Sequence, residues 1–225
     1  MQQTISKEQI NIGKVRIINH PVVLQNLSTM RDKNTNSQGV RIATRKITRV
    51  LLYEATKNLP LIEKEISTPL MNFNAQTVDP DIKIIISPIL RAGLIFTDEA
   101  IDILPQACIR HIGMYRDEKT LKPIWYYNKV PMEAVNPEKF YVYITDPMLA
   151  TGNSLLEAVK LYADKKIPVE QIKILSIIAA PEGVYNIQQQ YPEIEIITAA
   201  LDEKLNDKGY ILPGMGDAGD RIFNT

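Results

Sequence analysis

The sequence predicts an α/β protein with a doubly wound, mainly parallel sheet, an N-terminal helical hood region and a β-arm. Apolar, β-branched runs recur along the chain, and segments with a helical spacing of apolar residues separate them. Strands that alternate with helices in this way are joined by right-handed crossovers, which place helices on both faces of a parallel sheet. No repeat or low-complexity tract divides the 225 residues, so residues 1–225 are predicted to form a single domain.

The N-terminal part is predicted to be mainly helical. An arm over residues 1–14 precedes a short strand at 15–18, and helices follow at 22–30 and 40–59. Pro60 is predicted to end the second helix because proline removes a backbone donor. Five apolar side chains of that helix are predicted to share one side: Ile42, Ile47, Val50, Leu51 and Tyr53.

The rest of the chain supplies the sheet. The run IKIIISPI at residues 82–89 is almost continuously β-branched, as in a strand that is buried on both faces. Ligands of such sheets bind at the carboxyl ends of the strands, so candidate site residues are sought there. The other predicted strands are 107–115, 139–146, 172–180 and 194–201, and the predicted helices are 92–104, a segment ending near 164, and 184–190.

The composition argues against several classes of protein. Lysine plus arginine (26) balances aspartate plus glutamate (26), so no nucleic-acid or membrane partner is predicted. The single cysteine, Cys108, permits no internal disulfide and is predicted to be a small core residue. No spacing of a structural zinc site, secretory signal or membrane span is present, which predicts a cytoplasmic protein.

The segment that follows the strand at 139–146 is the first candidate for chemistry. Thr151, Gly152, Asn153 and Ser154 combine small side chains, hydroxyls and backbone N–H groups at a predicted helix N-terminus. Such groups carry the positive end of the helix dipole and suit a phosphate monoester. The alternative is a plain cap formed by Thr151 or Ser154. The absence of a G-x-x-x-x-G-K-[ST] loop argues against a kinase or a nucleoside triphosphatase.

Two arginines lie beyond the ends of neighbouring predicted strands. Arg91 follows the strand at 82–89, and Arg116 follows the run at 107–115. Guanidinium groups bind diphosphate through paired hydrogen bonds, although a surface position is the alternative for each. Residues 121–130 then alternate enough to form the β-arm, in which Trp125 is predicted to pack.

The last candidate is the glycine-rich segment GYILPGMGDAGDR at residues 209–221. Four glycines and a proline argue against a helix or strand interior and allow backbone groups to approach a flat ligand. A disordered tail is the alternative, but the segment carries apolar anchors that a tail would not need. Together the three segments predict a site for a phosphorylated sugar and a planar partner.

These motifs resemble those of the uracil phosphoribosyltransferases, in order, from about residue 18 to the C-terminus. The most specific matches are ITDPMLATGNS and GYILPGMGDAGDR, supported by SPILRAGL and GMYRDEKTLKP. The resemblance implies a phosphoribosyltransferase-like fold and the conversion of uracil and 5-phosphoribosyl 1-diphosphate to UMP and diphosphate in pyrimidine salvage. It also implies a Mg²⁺ cofactor held mainly by the diphosphate and ribose, a GTP effector, and a homodimer or homotetramer.

The resemblance assigns roles to individual residues. Arg91 and Arg116 would contact the diphosphate, and Asp146 would approach the ribose hydroxyls. Asp146, Arg116 and Asp217 are the expected catalytic residues. The expected binding loop for the phosphoribosyl donor comprises Asp146, Pro147, Met148, Leu149, Ala150, Thr151, Gly152, Asn153 and Ser154, with Asp217 nearby. Uracil would be bound by Ile211, Gly216, Asp217 and Ala218 through main-chain groups.

Pro147 and Ala150 stand where many relatives in the wider superfamily carry acids. We therefore expect no general base in this loop, and Asp217 is the best candidate to assist uracil deprotonation or to stabilise cationic charge. Two departures from the family pattern bear on activity. Asn153 replaces a usual glycine and is expected to tolerate a left-handed conformation, and Ile95 with Phe96 follows RAGL where a glycine is usual.

Three alternatives stay open at this point. A catalytically weakened or regulatory homologue would bind uracil or UMP without efficient turnover. An RNA-binding regulator on the same fold is disfavoured by the balanced charge. A purine-specific transferase would be expected to carry the acid that Ala150 replaces.

Overall fold

The structure of the protein is a computed structural model that describes residues 9–116, 123–130 and 134–225. Its strands are β1 (Val15–Ile17), β2 (Leu61–Ser67), β3 (Asn72–Val78), β4 (Lys83–Leu90), β5 (Cys108–Ile109), β6 (Ile112–Arg116), β7 (Pro123–Asn128), β8 (Phe140–Thr145), β9 (Met148–Leu149), β10 (Ile172–Ala179), β11 (Glu195–Leu201), β12 (Lys204–Leu205) and β13 (Ile211–Leu212). Its helices are α1 (Pro21–Arg31), α2 (Ser37–Thr56), α3 (Thr97–Ile103), α4 (Asn153–Ala163), α5 (Pro181–Gln190) and α6 (Ala218–Phe223).

Nine strands form one sheet, and this confirms the predicted fold class. Its main order is β1-β11-β10-β8-β4-β6-β7, with β5 beside β4 and β9 beside β10. All pairs are parallel except β6 with β7. One apolar cluster lies on the α1–α2 face and a second on the α4–α5 face, so both faces of the sheet are covered. The carboxyl ends of β4, β8, β10 and β11 therefore meet along one edge.

Helix α2 begins where Asn36 accepts a hydrogen bond from the Gly39 N–H at 2.8 Å, a typical N-cap. It ends at Thr56, before Pro60 is reached. Of the predicted apolar side, Ile47 and Leu51 are fully buried, whereas Ile42 and Tyr53 are exposed. The buried face runs instead through Val40, Ala43, Thr44, Ile47, Thr48, Leu51, Leu52 and Ala55.

The predicted strand at 107–115 is divided into β5 and β6. The cause lies in β4, where Pro88 has no N–H and cannot continue the ladder between the Ile86–Ile109 and Ile89–Ile112 pairs. The prediction of a buried Cys108 was wrong, because this residue is exposed. The predicted helix at 92–104 also differs, since a 3₁₀ segment, Ala92–Phe96, precedes α3.

An exposed hairpin of β2 and β3 separates the helical region from the sheet, and the sequence predicted nothing for it. Leu70 is 94% exposed, and Met71 and Phe73 are also exposed. In the predicted β-arm, β7 pairs with β6 and Trp125 packs on the second apolar cluster. Residues 1–8 of the predicted arm, and residues 121 and 122, lie outside the described residues. Within the described parts of the chain, no helix is long and apolar enough to cross a membrane.

Candidate active site

The loops after β4 and β8 adjoin at the carboxyl edge of the sheet. A Cβ placed on Gly93 would lie 2.6 Å from the carbonyl oxygen of Thr145, the last residue of β8. The two loops therefore touch through their backbones, and only glycine fits at this position. This contact brings the Arg91 loop next to Asp146, as the parallel sheet predicts.

The segment from Asp146 to Leu149 follows β8 and is held against β10 by main-chain hydrogen bonds. The Pro147 carbonyl accepts hydrogen bonds from Ile177 N and Ile178 N at 2.9 and 3.0 Å. Met148 and Leu149 then pair with β10 as the short strand β9. Leu149 is fully buried. This part of the predicted binding loop fixes the position of the residues that follow it.

A tight turn then leads into α4. Gly152 has φ of +81° and forms the N-cap, and as a glycine it offers no capping side chain. The N-cap position is therefore held by neither Thr151 nor Ser154. Asn153 is the first helical residue, so the expected left-handed conformation belongs to Gly152 rather than to Asn153. The first turn, which begins after a glycine, presents backbone N–H groups and the positive end of the helix dipole, as an anion site requires.

Asp146 is half-buried at the end of β8. Its Oδ1 accepts a hydrogen bond from Met148 N at 3.2 Å, and no lysine or arginine among the described residues forms an ion pair with it. Burial raises the pKa of the Asp146 carboxyl to about 7, while the Met148 N–H opposes this effect. An acid with this pKa gains or loses its proton near neutral pH.

Arg91 meets the C-terminal loop. Its guanidinium lies 3.6 Å from Asp220 Oδ1, and its side chain is 59% exposed. A Cβ on Gly219 would lie 3.2 Å from Asp217 Oδ1 and 3.8 Å from Arg91 Nη2. The structure thus brings Arg91 and Asp217 together across Gly219. Arg116 ends β6, and its side chain lies outside the described part of the structure.

The glycine-rich segment at 209–221 is ordered by β13 and α6 rather than being a tail. Ile211 is buried in β13, and Gly214 and Gly216 both have positive φ. Asp217 caps α6, since its Oδ1 accepts from Asp220 N at 3.0 Å. A Cβ on Gly216 would have Arg221 Cδ as its nearest neighbour at 3.9 Å, so the backbone there is open to a ligand.

Three polar residues that sequence reasoning missed hold this loop. Asp202 accepts from Gly214 N at 2.8 Å and pairs with Arg31, whose Nη1 donates to Gly214 O at 2.8 Å. Arg221 donates to Met30 O at 2.6 Å and to Met215 O at 3.0 Å. Asp202 stands directly after β11, so the search at strand ends that selected Arg91 and Asp146 could also have selected it.

Within residues 9–116, 123–130 and 134–225, no three His, Cys, Asp or Glu side chains converge on a point where they could hold a metal ion. Magnesium prefers oxygen ligands and commonly takes only one or two protein carboxylates, which Asp146 and Asp217 could offer.

Comparisons with known proteins agree with this geometry. A family model described as uracil phosphoribosyltransferase matches residues 17–225. The uracil phosphoribosyltransferase of Dictyoglomus thermophilum is 46% identical over 94% of this chain and 99% of its own length. That of Clostridium perfringens is 43% identical over 95% of this chain and its full length.

Two solved structures share the fold. The AQ2163 protein of Aquifex aeolicus matches with a TM-score of 0.84 and 36% identity over 93% of this chain and 97% of its own. An adenine phosphoribosyl transferase from Trypanosoma brucei matches with a TM-score of 0.56 and 12% identity over 96% of this chain and 92% of its own. The second likeness concerns the fold alone.

Proposed function

The chain belongs to the uracil phosphoribosyltransferase family, and we propose that it transfers the phosphoribosyl group of 5-phosphoribosyl 1-diphosphate to uracil. The products are UMP and diphosphate, in pyrimidine salvage. The observation that carries this proposal is the glycine-capped N-terminus of α4, which lies at the same sheet edge as Arg91 and the open backbone of Gly216. The α4 N-terminus suits the 5′-phosphate, Arg91 suits the diphosphate, and the backbone at Gly216 suits the base.

The 5′-phosphate is assigned to the turn of Ala150, Thr151, Gly152, Asn153 and Ser154. Backbone N–H groups at a helix N-terminus bind a dianion without any lysine, and the left-handed Gly152 gives the turn its shape. Pro147, Met148 and Leu149 support this turn through β9. Asp146 is assigned to the ribose hydroxyls, which hydrogen-bond to its carboxylate when the proton has left.

The diphosphate is assigned to Arg91, with Arg116 as the second cation. Arg91 is largely exposed, and its contact with Asp220 is long at 3.6 Å, so it is available to an incoming anion. Magnesium, when bound with the donor, would neutralise charge on the departing diphosphate. The guanidinium groups would supply the remaining positive charge.

Uracil is assigned to the main chain of Ile211, Gly216, Asp217 and Ala218. Its edge presents carbonyl acceptors and an imide donor, which backbone groups complement. Cytosine reverses part of that pattern and would leave buried polar groups unpaired, so it should be rejected. Ala218 is buried beneath the turn, while Gly216 is open.

We propose that no residue of the loop acts as a general base. Pro147 and Ala150 carry no ionisable group, and Asp146 is assigned to the ribose hydroxyls. Asp217 lies across Gly219 from Arg91, and Asp220 is the acid that pairs with Arg91. Asp217→Asn is an informative variant because asparagine caps a helix as well as aspartate does, so α6 should survive. Turnover should fall far more than uracil affinity; unchanged turnover would remove Asp217 from the chemistry.

Conversion of radiolabelled uracil with 5-phosphoribosyl 1-diphosphate and magnesium tests the function directly. Labelled UMP is the expected product, and adenine, hypoxanthine and guanine should not compete. Binding of UMP without turnover would favour the weakened or regulatory homologue. Turnover of a purine in place of uracil would favour the purine transferase that the sequence left open.

The assembly state belongs to the same proposal. We propose a homodimer or homotetramer, supported by the exposed apolar side chains of the β2–β3 hairpin. Light scattering of the purified chain tests this, and a monomer at micromolar concentration would contradict it. A GTP effector and a cytoplasmic location rest on the family resemblance and on the sequence. Initial rates with and without GTP test the first.

A further inference from the structure

We propose that Asn186 of α5 is a positioning residue for the 5′-phosphate and that Asn153 is its partner in the phosphate turn. This inference rests on the proposed function, since it assigns the ligand of the turn. The side-chain nitrogen of Asn186 donates to Thr151 O at 3.1 Å and to Asn153 Oδ1 at 2.9 Å. One amide group therefore bonds two residues of the turn, 33 and 35 positions away along the chain.

The turn also touches α5 through its backbone. A Cβ on Gly183 would lie 2.3 Å from Ala150 O, and one on Gly152 would lie 2.8 Å from Gly183 O. Gly183 and Asn186 are three residues apart, so they share one face of α5. On that face, Gly183 contacts the turn at Ala150, and the side-chain amide of Asn186 contacts it at Thr151. Helix α5 therefore packs directly against the turn.

The chemical consequence follows from peptide geometry. In a planar trans peptide, the carbonyl of Thr151 and the N–H of Gly152 point in opposite directions. Because Asn186 binds the Thr151 carbonyl on the α5 side, the Gly152 N–H is directed away from α5. A carbonyl that turned toward the phosphate would repel it, and the bond from Asn186 opposes that rotation. Asn186 acts on the phosphate through the orientation of this peptide.

The contact with Asn186 gives Asn153 a role that the usual glycine at this position could not fill. Its side-chain oxygen takes the second hydrogen of the Asn186 amide, which holds Asn186 in the rotamer that reaches Thr151. A glycine at this position would leave the Thr151 bond in place but remove the second acceptor. Asn153, which departs from the family pattern, therefore helps to hold the turn in place.

The test compares Asn186→Ala with Gln189→Ala, which changes an exposed residue of the same helix. The probes are ribose 5-phosphate, UMP and uridine, measured by calorimetry, together with steady-state kinetics. For Asn186→Ala we expect about five- to tenfold weaker binding of ribose 5-phosphate and UMP, and a similar rise in KM for the phosphoribosyl donor. Uridine binding and the KM for uracil should stay within twofold, as should every value for Gln189→Ala.

Equal losses for UMP and uridine, or no loss for ribose 5-phosphate, would overturn the positioning role. If Asn186→Ala unfolds, Asn153→Gly gives the second test, with an expected two- to threefold loss that is specific to phosphorylated ligands. The two proposals fail differently. A wild-type chain that binds ribose 5-phosphate through Asn186 but makes no UMP contradicts the function alone, whereas normal UMP synthesis by an Asn186→Ala variant with unaltered phosphate affinity contradicts the positioning role alone.

Discussion

Arg31, at the end of α1, and Asp202, directly after β11, form a bidentate ion pair. Nη1 lies 2.8 Å from Oδ2 and Nη2 lies 2.5 Å from Oδ1. The same two side chains bind the N–H and the carbonyl of Gly214. Because Asp202 is 6% exposed, its carboxylate is shielded from water, and the pair fixes the 209–221 loop to α1 and to the end of β11.

Arg31→Ala should destabilise the fold and weaken uracil binding. The variant leaves the Asp202 carboxylate buried without its cation, a change that costs about 3–5 kcal/mol in other proteins. We expect a lower free energy of unfolding in urea and a KM for uracil that rises more than the KM for the phosphoribosyl donor. Lys33→Ala, on an exposed neighbour, is the control. A shift in neither quantity would show that Gly214 is held by other contacts.

Asp146→Asn should change how stability depends on pH. The folded-state pKa of about 7 lies above the ordinary value of 3.8, so the folded chain retains a proton that the unfolded chain loses. This contribution to stability is complete below 3.8 and disappears as the pH rises through 7. The variant lacks the titration, so its Tm relative to wild type should increase from pH 4 to pH 7 and then level off. Parallel Tm profiles over that range would contradict the raised pKa.

Glu195→Gln should have the opposite pH signature. Burial alone would raise the pKa of Glu195, but the hydrogen bonds and charges of Lys173 and Arg16 outweigh it and leave the pKa lowered. Lys173 is itself buried, 3.0 Å from this carboxylate. The contribution of the pair is present above the ordinary pKa of 4.5 and is lost as the pH falls through the lowered folded-state value. Urea denaturation should therefore show the variant less stable at pH 7, with the gap closing in acid.

A matched variant for Glu195→Gln is available on the surface. Glu193→Gln removes the partner of Lys14 in an exposed ion pair at 2.7 Å. Exposed pairs contribute little because water and salt screen them. A loss at pH 7 as large as that of Glu195→Gln would mean that burial of Lys173 is not the cause of the effect.

Gly214→Ala and Gly216→Ala distinguish two reasons for glycine in the 209–221 loop, namely backbone conformation and lack of space for a Cβ atom. Both positions have positive φ, so alanine at either should cost roughly 1–2 kcal/mol through backbone strain. At Gly214 the new Cβ would also lie 2.1 Å from Ile211 O, whereas at Gly216 it meets nothing closer than 3.9 Å. We expect Gly214→Ala to be clearly less stable by thermal unfolding. Equal losses would indicate that the loop can move away from Ile211.

The sheet could be predicted because its central strands are apolar runs that can be recognised in the sequence. The runs at 172–180 and 194–201 match β10 and β11 within a residue, since strands buried on both faces are almost continuously apolar. The β2–β3 hairpin carries no such signal. Its strand LIEKEIS is exposed along its whole length, so neither a continuous apolar run nor a buried face marks it in the sequence.

The positions of the candidate site residues could be predicted where these residues directly follow strand ends. Arg91, Asp146 and Gly152 all occupy loops that the parallel topology gathers at one edge. The residues that hold these loops in place could not be predicted in the same way, because they are far apart in the sequence. Arg31 and Asp202 are 171 residues apart, and no local pattern indicates which arginine will meet which aspartate. Such pairs are fixed by the packing of α1 against the sheet.

The exposure of Cys108 has a practical consequence. It is the only cysteine in the chain, and it lies on β5 opposite Ile85, near the start of β4 and about 17 Å in strand length from the Arg91 loop. A maleimide dye will therefore attach at one known point, away from the phosphate turn, without any substitution. Fluorescence anisotropy or single-molecule imaging of the unmodified sequence then becomes possible without a change at the candidate site.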